Sequence, residues 1–120
     1  MADSQGYILQ KEINMTVNQF FVKIGLFEHT VYDIDVTNKF KKQIKIASKR
    51  NLDLQLLIDV IYILAKDEKL EEKYQVHTLS GFSEIVWECH VKPDWLLTWS
   101  YSDDKLVLIL LETGTHSDLF

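Results

Sequence analysis

The sequence has little of several things that define other classes of protein. It contains one cysteine, Cys89, so no disulfide can form within the chain, and a disulfide-stapled secreted fold is excluded. Four glycines and one proline are too few for a fibrous or low-complexity chain. No apolar run approaches the length of about 18 residues that a membrane span needs, and the first fifteen residues lack the apolar segment of a secretory signal. These absences predict a cytoplasmic protein without a membrane span.

The chain does have enough apolar content for one packed domain. Apolar residues fill 47% of the 120 positions, and a domain of this size buries roughly two-thirds of its unfolded surface. Acidic residues outnumber basic ones by 18 to 13, which gives a net charge of −5. Residues 39–50 reverse this balance, with six basic residues and no acidic one. That segment is either a solvated helix face or a cationic stripe that holds phosphates.

The spacing of apolar residues predicts two helices after an alternating stretch at residues 31–36, which is typical of a half-buried strand. The predicted helices run from a cap at Thr37 or Asn38 to about Arg50, and from a cap at Asp53 to about Ala65. Their short connection predicts an antiparallel hairpin. Residues 20–27 are mostly apolar and predict either a short element packed on the body or an appended arm.

The second half of the chain predicts a sheet. Strands are predicted at residues 85–91, 95–101 and 105–111, separated by turns. Residues 106–111 are apolar on both faces, which is typical of an interior strand that lies under helices. The order β-α-α-β-β-β predicts an α+β fold, in which a helical hairpin packs on one face of a small, mostly antiparallel sheet.

The polar face of the first of these three strands carries residues that can move protons. His90 shares that face with Glu88, and Asp94 follows the strand. An imidazole exchanges protons near neutral pH, and carboxylates fix its tautomer, so the pattern is compatible with acid–base catalysis. Two alternatives stay open: surface histidines without a catalytic role, and a zinc site with His116, although the short spacings of zinc ligands are absent. Cys89 lies on the apolar face and is predicted to be an inert thiol.

Three ordered motifs resemble the YafQ-type toxins of the RelE/ParE superfamily. They are His-Thr-Leu-Ser-Gly at 77–81, Glu-Cys-His-Val-Lys-Pro-Asp-Trp-Leu-Leu at 88–97 and Gly-Thr-His-Ser-Asp-Leu-Phe at 114–120. The resemblance covers residues 31–120 as a toxin domain and leaves residues 1–30 as an N-terminal extension of unknown role. The implied fold, a small twisted antiparallel sheet with a helical hairpin, agrees with the fold predicted from periodicity.

The resemblance implies the toxin of a bacterial type II toxin–antitoxin pair. Such a toxin is a ribosome-dependent endoribonuclease without cofactors, which cuts translated mRNA in the A site by attack of a ribose 2′-OH and leaves a 2′,3′-cyclic phosphate. The implied partners are the 70S ribosome, the mRNA and a cognate antitoxin, with a toxin–antitoxin heterotetramer as one assembly. The alternative is a binder without nuclease activity, either a degenerate toxin that binds antitoxin and co-represses or a relative that poisons a topoisomerase.

Residue by residue, the resemblance implies catalytic roles for one set of side chains and RNA or ribosome contacts for another. The catalytic set is His77, Glu88, His90, Asp94, His116 and Phe120, and the contact set is Lys39, Lys42, Lys45, Lys49, Lys92 and Trp95. We expect His116 to be the acid and Asp94 or His90 the base. Phe120 is expected to stack on a nucleobase. The chain departs from the family pattern at Glu112 and Trp87, where members often carry arginine.

Overall fold

The structure, a computed structural model, describes residues 15–102 and 104–119. The helices are α1 (Val17–Gly25), α2 (Asn38–Lys49), α3 (Leu54–Ala65) and α4 (His116–Leu119), with a 3-10 turn at Glu72–Tyr74. The strands are β1 (Asp33–Val36), β2 (His77–Leu79), β3 (Val86–Lys92), β4 (Trp95–Ser102) and β5 (Val107–Gly114). The predicted α+β class is confirmed. Within the described residues, none of the helices has the length and apolarity needed to span a membrane.

Both predicted helix caps are present. The Thr37 hydroxyl accepts a hydrogen bond from the Phe40 amide (3.0 Å), and the Asp53 carboxylate accepts one from the Gln55 amide (3.1 Å). These side chains satisfy amides that the first helical turn leaves without partners. The predicted core stripe of α2, Phe40, Ile44 and Ala47, is buried.

The sheet has the strand order β1-β5-β4-β3-β2. Only β1 and β5 pair in parallel among the described strands, so the sheet is mostly antiparallel, as predicted. Strand β5 lies between two neighbours, and Leu108 and Leu110 on it are fully buried, which confirms the predicted interior position. It begins two residues later than predicted, at Val107, because Leu106 adopts a left-handed conformation (φ 50°) at the end of the preceding turn. Strand β2 was not predicted, since three residues carry no measurable periodicity.

Helix α1 is part of the packed body. The Phe20 side chain is fully buried, with its ring centroid 5.2 Å from that of Phe21 and 6.2 Å from that of Phe40 on α2. The Lys23 ammonium donates a hydrogen bond to Gln55 Oε1 on α3 (3.1 Å). Of the two alternatives for residues 20–27, the packed element is therefore confirmed over the appended arm. The boundary between an extension of residues 1–30 and a domain of residues 31–120 stays a prediction.

The burial of α1 gives a prediction about stability. Phe20→Ala removes an aromatic side chain from a fully enclosed position, so we expect the free energy of unfolding to fall by about 3–5 kcal/mol. Urea denaturation measures this change. The control is Val22→Ala on the same helix, where the valine is 58% exposed, and its effect should stay within about 0.5 kcal/mol. Equal effects of the two substitutions would show that α1 does not pack on the domain in solution.

A buried polar network fixes the end of β5, where the chain enters the C-terminal motif. The Thr113 amide donates to Gln43 Oε1 on α2 (2.8 Å). The Trp95 indole Nε1 donates to Thr113 Oγ1 (2.9 Å), which in turn donates to the Leu96 carbonyl (2.8 Å). Because each buried polar atom of this network has a partner, the network fixes the register of β4 and β5 without an unpaired donor.

Candidate active site

Three histidines lie in a row across one face of the sheet and the turn that follows β5. The ring centroid of His90 is 6.3 Å from that of His77 and 6.5 Å from that of His116. The strand register explains this arrangement, because β2 and β3 pair antiparallel with His77 opposite Glu88, and Leu96, the partner of His90, is also opposite Gly114. The fold thus brings together the three motifs that are separate in the sequence.

His77 uses both of its ring nitrogens. Nε2 lies 3.0 Å from Glu88 Oε1, and Nδ1 lies 2.7 Å from the carbonyl oxygen of Gln75. A carbonyl and an ionised carboxylate only accept hydrogen bonds, so both contacts are hydrogen bonds when the ring donates from both nitrogens. The side chain of Glu88 is 9% exposed. The alternating pattern placed Glu88 on the polar face of its strand and thus predicted an exposed side chain, which is wrong. The burial follows from the position of Glu88 on an interior strand beneath the imidazole.

His90 presents the chemistry of a base. Its Nδ1 lies 3.1 Å from the carbonyl oxygen of Pro93, which can only accept, so the neutral ring carries its proton on Nδ1. Nε2 then holds a lone pair, and it has no hydrogen-bond partner among residues 15–102 and 104–119. The turn at Pro93 and Asp94 that was predicted from sequence thus fixes the tautomer of His90.

His116 is paired with a carboxylate. Its Nδ1 lies 3.3 Å from Asp94 Oδ1, and the two side chains are 59% and 75% exposed. A carboxylate at Nδ1 accepts a hydrogen bond from this nitrogen and orients the ring. The oriented ring can exchange a proton with a bound group.

The expected RNA-contact residues fall into three groups. Four lysines of this set are exposed and form no ion pair with other described residues: Lys42, Lys45, Lys49 and Lys92. Lys39 instead forms an ion pair with Glu112. Trp95 is only 2% exposed, with its indole donor used in the core, so the expected direct contact of this side chain with RNA is wrong. Phe120 lies outside the described residues.

Glu112 belongs to the same face as the histidines. The register aligns His77, Glu88, Thr98 and Glu112 in one row across four strands. The residue that departs from the family pattern thus lies in line with the candidate site, and its charge is balanced by Lys39 at the start of α2.

Cys89 does not contribute chemistry to this site. The side chain is fully buried, and burial, with a smaller contribution from the charge of Glu88, raises the pKa of the thiol to about 12. A thiol with so little thiolate at neutral pH is a poor nucleophile and a poor metal ligand. The prediction of an inert core thiol is confirmed.

Two side chains that bear on the site were missed in the sequence. Asp118 accepts hydrogen bonds from Thr115, and Arg50 forms an ion pair with Asp118. The signal for the first contact was present, because Thr115 and Asp118 have the Thr-x-x-Asp spacing of a capping box. No local signal links Arg50 to a residue at the far end of the chain.

The comparison with protein families covers most of the chain. Residues 32–120 match the family described as "Bacterial toxin of type II toxin-antitoxin system, YafQ". The chain belongs to this family. It is 33% identical over 89 residues to the mRNA interferase toxin YafQ of Escherichia coli K12, a match that spans 73% of this chain and 95% of the relative.

Solved structures agree with the family assignment. The E. coli DinJ–YafQ toxin–antitoxin complex matches with a TM-score of 0.68 and 33% identity, over 75% of this chain and 98% of that chain. A metal-bound toxin from Helicobacter pylori matches with a TM-score of 0.69 and 40% identity, over 72% of this chain and 97% of that chain. In this YafQ-family chain, the described residues include no group of three or more His, Cys, Asp or Glu side chains that could hold a metal ion.

Proposed function

We propose that this YafQ-family chain is the toxin of a type II toxin–antitoxin pair and cleaves translated mRNA in the ribosomal A site. The observation that carries the proposal is the row of His77, His90 and His116, with carboxylates beside the first and the last of these rings. Family membership and the 33% identity to an mRNA interferase support the reaction class. Because its substrate is on the ribosome, the protein acts in the bacterial cytoplasm.

The geometry supports a proposal for the base and the acid. His90 Nε2 accepts the proton of the ribose 2′-OH, and the 2′-oxygen attacks the adjacent phosphorus. His116, oriented by Asp94, donates a proton from its imidazolium form to the departing 5′-oxygen. His90 takes up one proton and His116 releases one. The products are a 2′,3′-cyclic phosphate and a 5′-OH end. Asp94 is used at His116, and His90 is therefore the better candidate for the base of the two that the sequence left open.

His77 has a different role from the other two rings. A ring that donates from both nitrogens cannot accept the 2′-OH proton, but its positive charge can stabilise the negative charge that develops on the phosphate oxygens. Glu88 orients this ring. Phe120 is proposed to stack on a nucleobase next to the scissile bond.

The exposed lysines provide the electrostatic part of binding. Lys42, Lys45 and Lys49 lie on α2, and Lys92 ends β3 beside His90. We assign these side chains to phosphates of the mRNA or the ribosomal RNA, which makes binding dependent on salt. A cognate antitoxin is the second partner, in line with the DinJ–YafQ complexes of the E. coli relative, and a heterotetramer is the expected assembly.

A second candidate function rests on Glu112. Its carboxylate lies in the row of the site and neutralises Lys39, which lowers the positive potential that a phosphate requires. A scaffold weakened in this way would act by binding alone, either to its antitoxin as a co-repressor or to a topoisomerase.

Substitution of Glu112 tests how far this carboxylate weakens RNA binding. Glu112→Gln removes the negative charge and releases Lys39, so we expect kcat/KM on ribosome-bound mRNA to rise about fivefold, which corresponds to about 1 kcal/mol for one charge pair near 4 Å in water. The salt dependence should become steeper by about one counterion. The control is Glu28→Gln, because the Glu28 side chain is 83% exposed and lies far from Glu112 in the sequence. An unchanged kcat/KM would show that Glu112 does not act on the phosphate.

The ends of the cleavage products test the proposed chemistry. A labelled mRNA is incubated with the protein in a reconstituted translation system, and the fragments are analysed for their terminal groups. A 2′,3′-cyclic phosphate and a 5′-OH are expected. A 3′-OH and a 5′-phosphate would contradict acid–base attack by the 2′-OH and indicate a metal-dependent hydrolase. Absence of cleavage by folded protein would favour the binding function.

A further inference from the structure

The carboxylate of Asp118 holds the turn that carries His116, and it lies at the end of that same turn. Asp118 Oδ2 accepts hydrogen bonds from the Thr115 amide (3.1 Å), the Thr115 hydroxyl (3.0 Å) and Arg50 Nη1 (2.8 Å). The other oxygen, Oδ1, lies 2.7 Å from Arg50 Nη2. The guanidinium thus meets the carboxylate through two parallel contacts, a geometry that adds directional specificity to the charge attraction.

The charge on Asp118 is secured by these partners. Burial by itself raises the pKa of this carboxyl, but the hydrogen bonds from Thr115 and the guanidinium of Arg50 outweigh burial and lower the pKa below its ordinary value. A carboxyl whose pKa is lower in the folded state stabilises the fold above its unfolded pKa, and this contribution is lost only as the pH falls through the folded pKa. The ion pair is therefore intact at every pH at which translation can be assayed.

The packing around Asp118 is tight. Gly114 closes β5, and a Cβ added at this position would lie 3.0 Å from Asp118 Cβ, so Asp118 would have to move by a few tenths of an ångström to accommodate it. Helix α4 has only four residues, and so short a helix is not stable by itself. Its place relative to β3 therefore depends on contacts with the rest of the fold, and Arg50 at the end of α2 supplies two of them.

We propose that Arg50 and Asp118 are positioning residues that hold His116 beside His90 and Asp94 for proton transfer. This inference rests on the proposed function of His116. It also separates Arg50 from the lysines of α2, because both terminal nitrogens of its guanidinium contact Asp118 within the protein. The basic segment of residues 39–50 thus serves two purposes, in which the exposed lysines contact RNA and the arginine orients the acid.

The test compares the kinetics of Arg50→Gln and Asp118→Asn with those of a control variant that loses one charge elsewhere on the surface. Each substitution should lower kcat about 10- to 100-fold, since a displacement of about 1 Å of a catalytic group costs about 100-fold, and KM should change less than about twofold. Arg50→Lys should restore only part of kcat, because an ammonium cannot make the paired contacts. The double variant should be no slower than the slower single variant. The control is Lys105→Gln in the exposed turn before β5, which should leave kcat and KM unchanged.

A second readout separates this inference from the proposed function. The His116 ring resonances, followed by NMR in the free protein, should shift in Arg50→Gln and Asp118→Asn and stay in place in Lys105→Gln, whether or not the protein cleaves mRNA. Unshifted resonances in folded variants would overturn the inference. A raised KM with a weaker salt dependence and an unchanged kcat in Arg50→Gln, without any effect of Asp118→Asn, would overturn it as well, because that pattern identifies a direct phosphate contact.

Discussion

Substitution of His116 by glutamine is expected to lower kcat on ribosome-bound mRNA by about 10²- to 10⁴-fold, the usual contribution of general acid catalysis. The amide has about the size of the imidazole but cannot donate a proton to an alkoxide. KM should change little, because the ring is 59% exposed at the rim of the site and we propose that the exposed lysines of α2 make the phosphate contacts.

A chemically altered substrate tests the acid role of His116 directly. An mRNA in which sulfur replaces the bridging 5′-oxygen at the cleavage site has a leaving group that departs without a proton. His116→Gln should cut this substrate at nearly the rate of the wild type. A defect of equal size on the oxygen and sulfur substrates would show that His116 is not the acid.

Substitution of His90 by glutamine is expected to lower kcat by a similar factor of about 10²–10⁴, for the opposite reason. Without the Nε2 lone pair that the Pro93 contact directs outward, nothing at this position takes the 2′-OH proton. Sulfur in the leaving group should not restore the rate, since the attacking oxygen remains protonated.

The two histidine variants control each other, and His29→Gln controls for the loss of an imidazole elsewhere, because the His29 side chain is 90% exposed and outside the row. Rescue of His90→Gln by the sulfur substrate, with no rescue of His116→Gln, would reverse the assignment of acid and base. Loss of activity in His29→Gln would contradict the placement of the site.

Much of the fold follows from local signals in the sequence. Thr37 and Asp53 are strong caps, and the apolar spacing at Phe40 and Ile44 leaves little choice of helix face. The bounds of β1 and β5 and the existence of β2 depend on pairing with distant residues, which periodicity does not report. The packing of α1 depends in the same way on Phe20 meeting Phe40.

The sequence motifs select candidate residues for the site but do not give their geometry. The motifs include His77, His90 and His116, whose ring distances follow from the register of three strand pairings. Trp95 was misassigned because β4 is buried on both faces, so a neighbour of the catalytic motif in sequence lies in the core. The contact of Arg50 with Asp118 joins two ends of the chain and leaves no pattern that a sequence window contains.

Primer extension on a reporter mRNA in a reconstituted translation mix tests the central claim most directly. The wild-type protein, His116→Ala and a reaction without ribosomes are compared under the same conditions. Cuts in the translated frame that require both the ribosome and His116 are the predicted result. Cuts by the wild type without ribosomes, or equal cuts by His116→Ala, would contradict an acid–base nuclease that acts on translated mRNA.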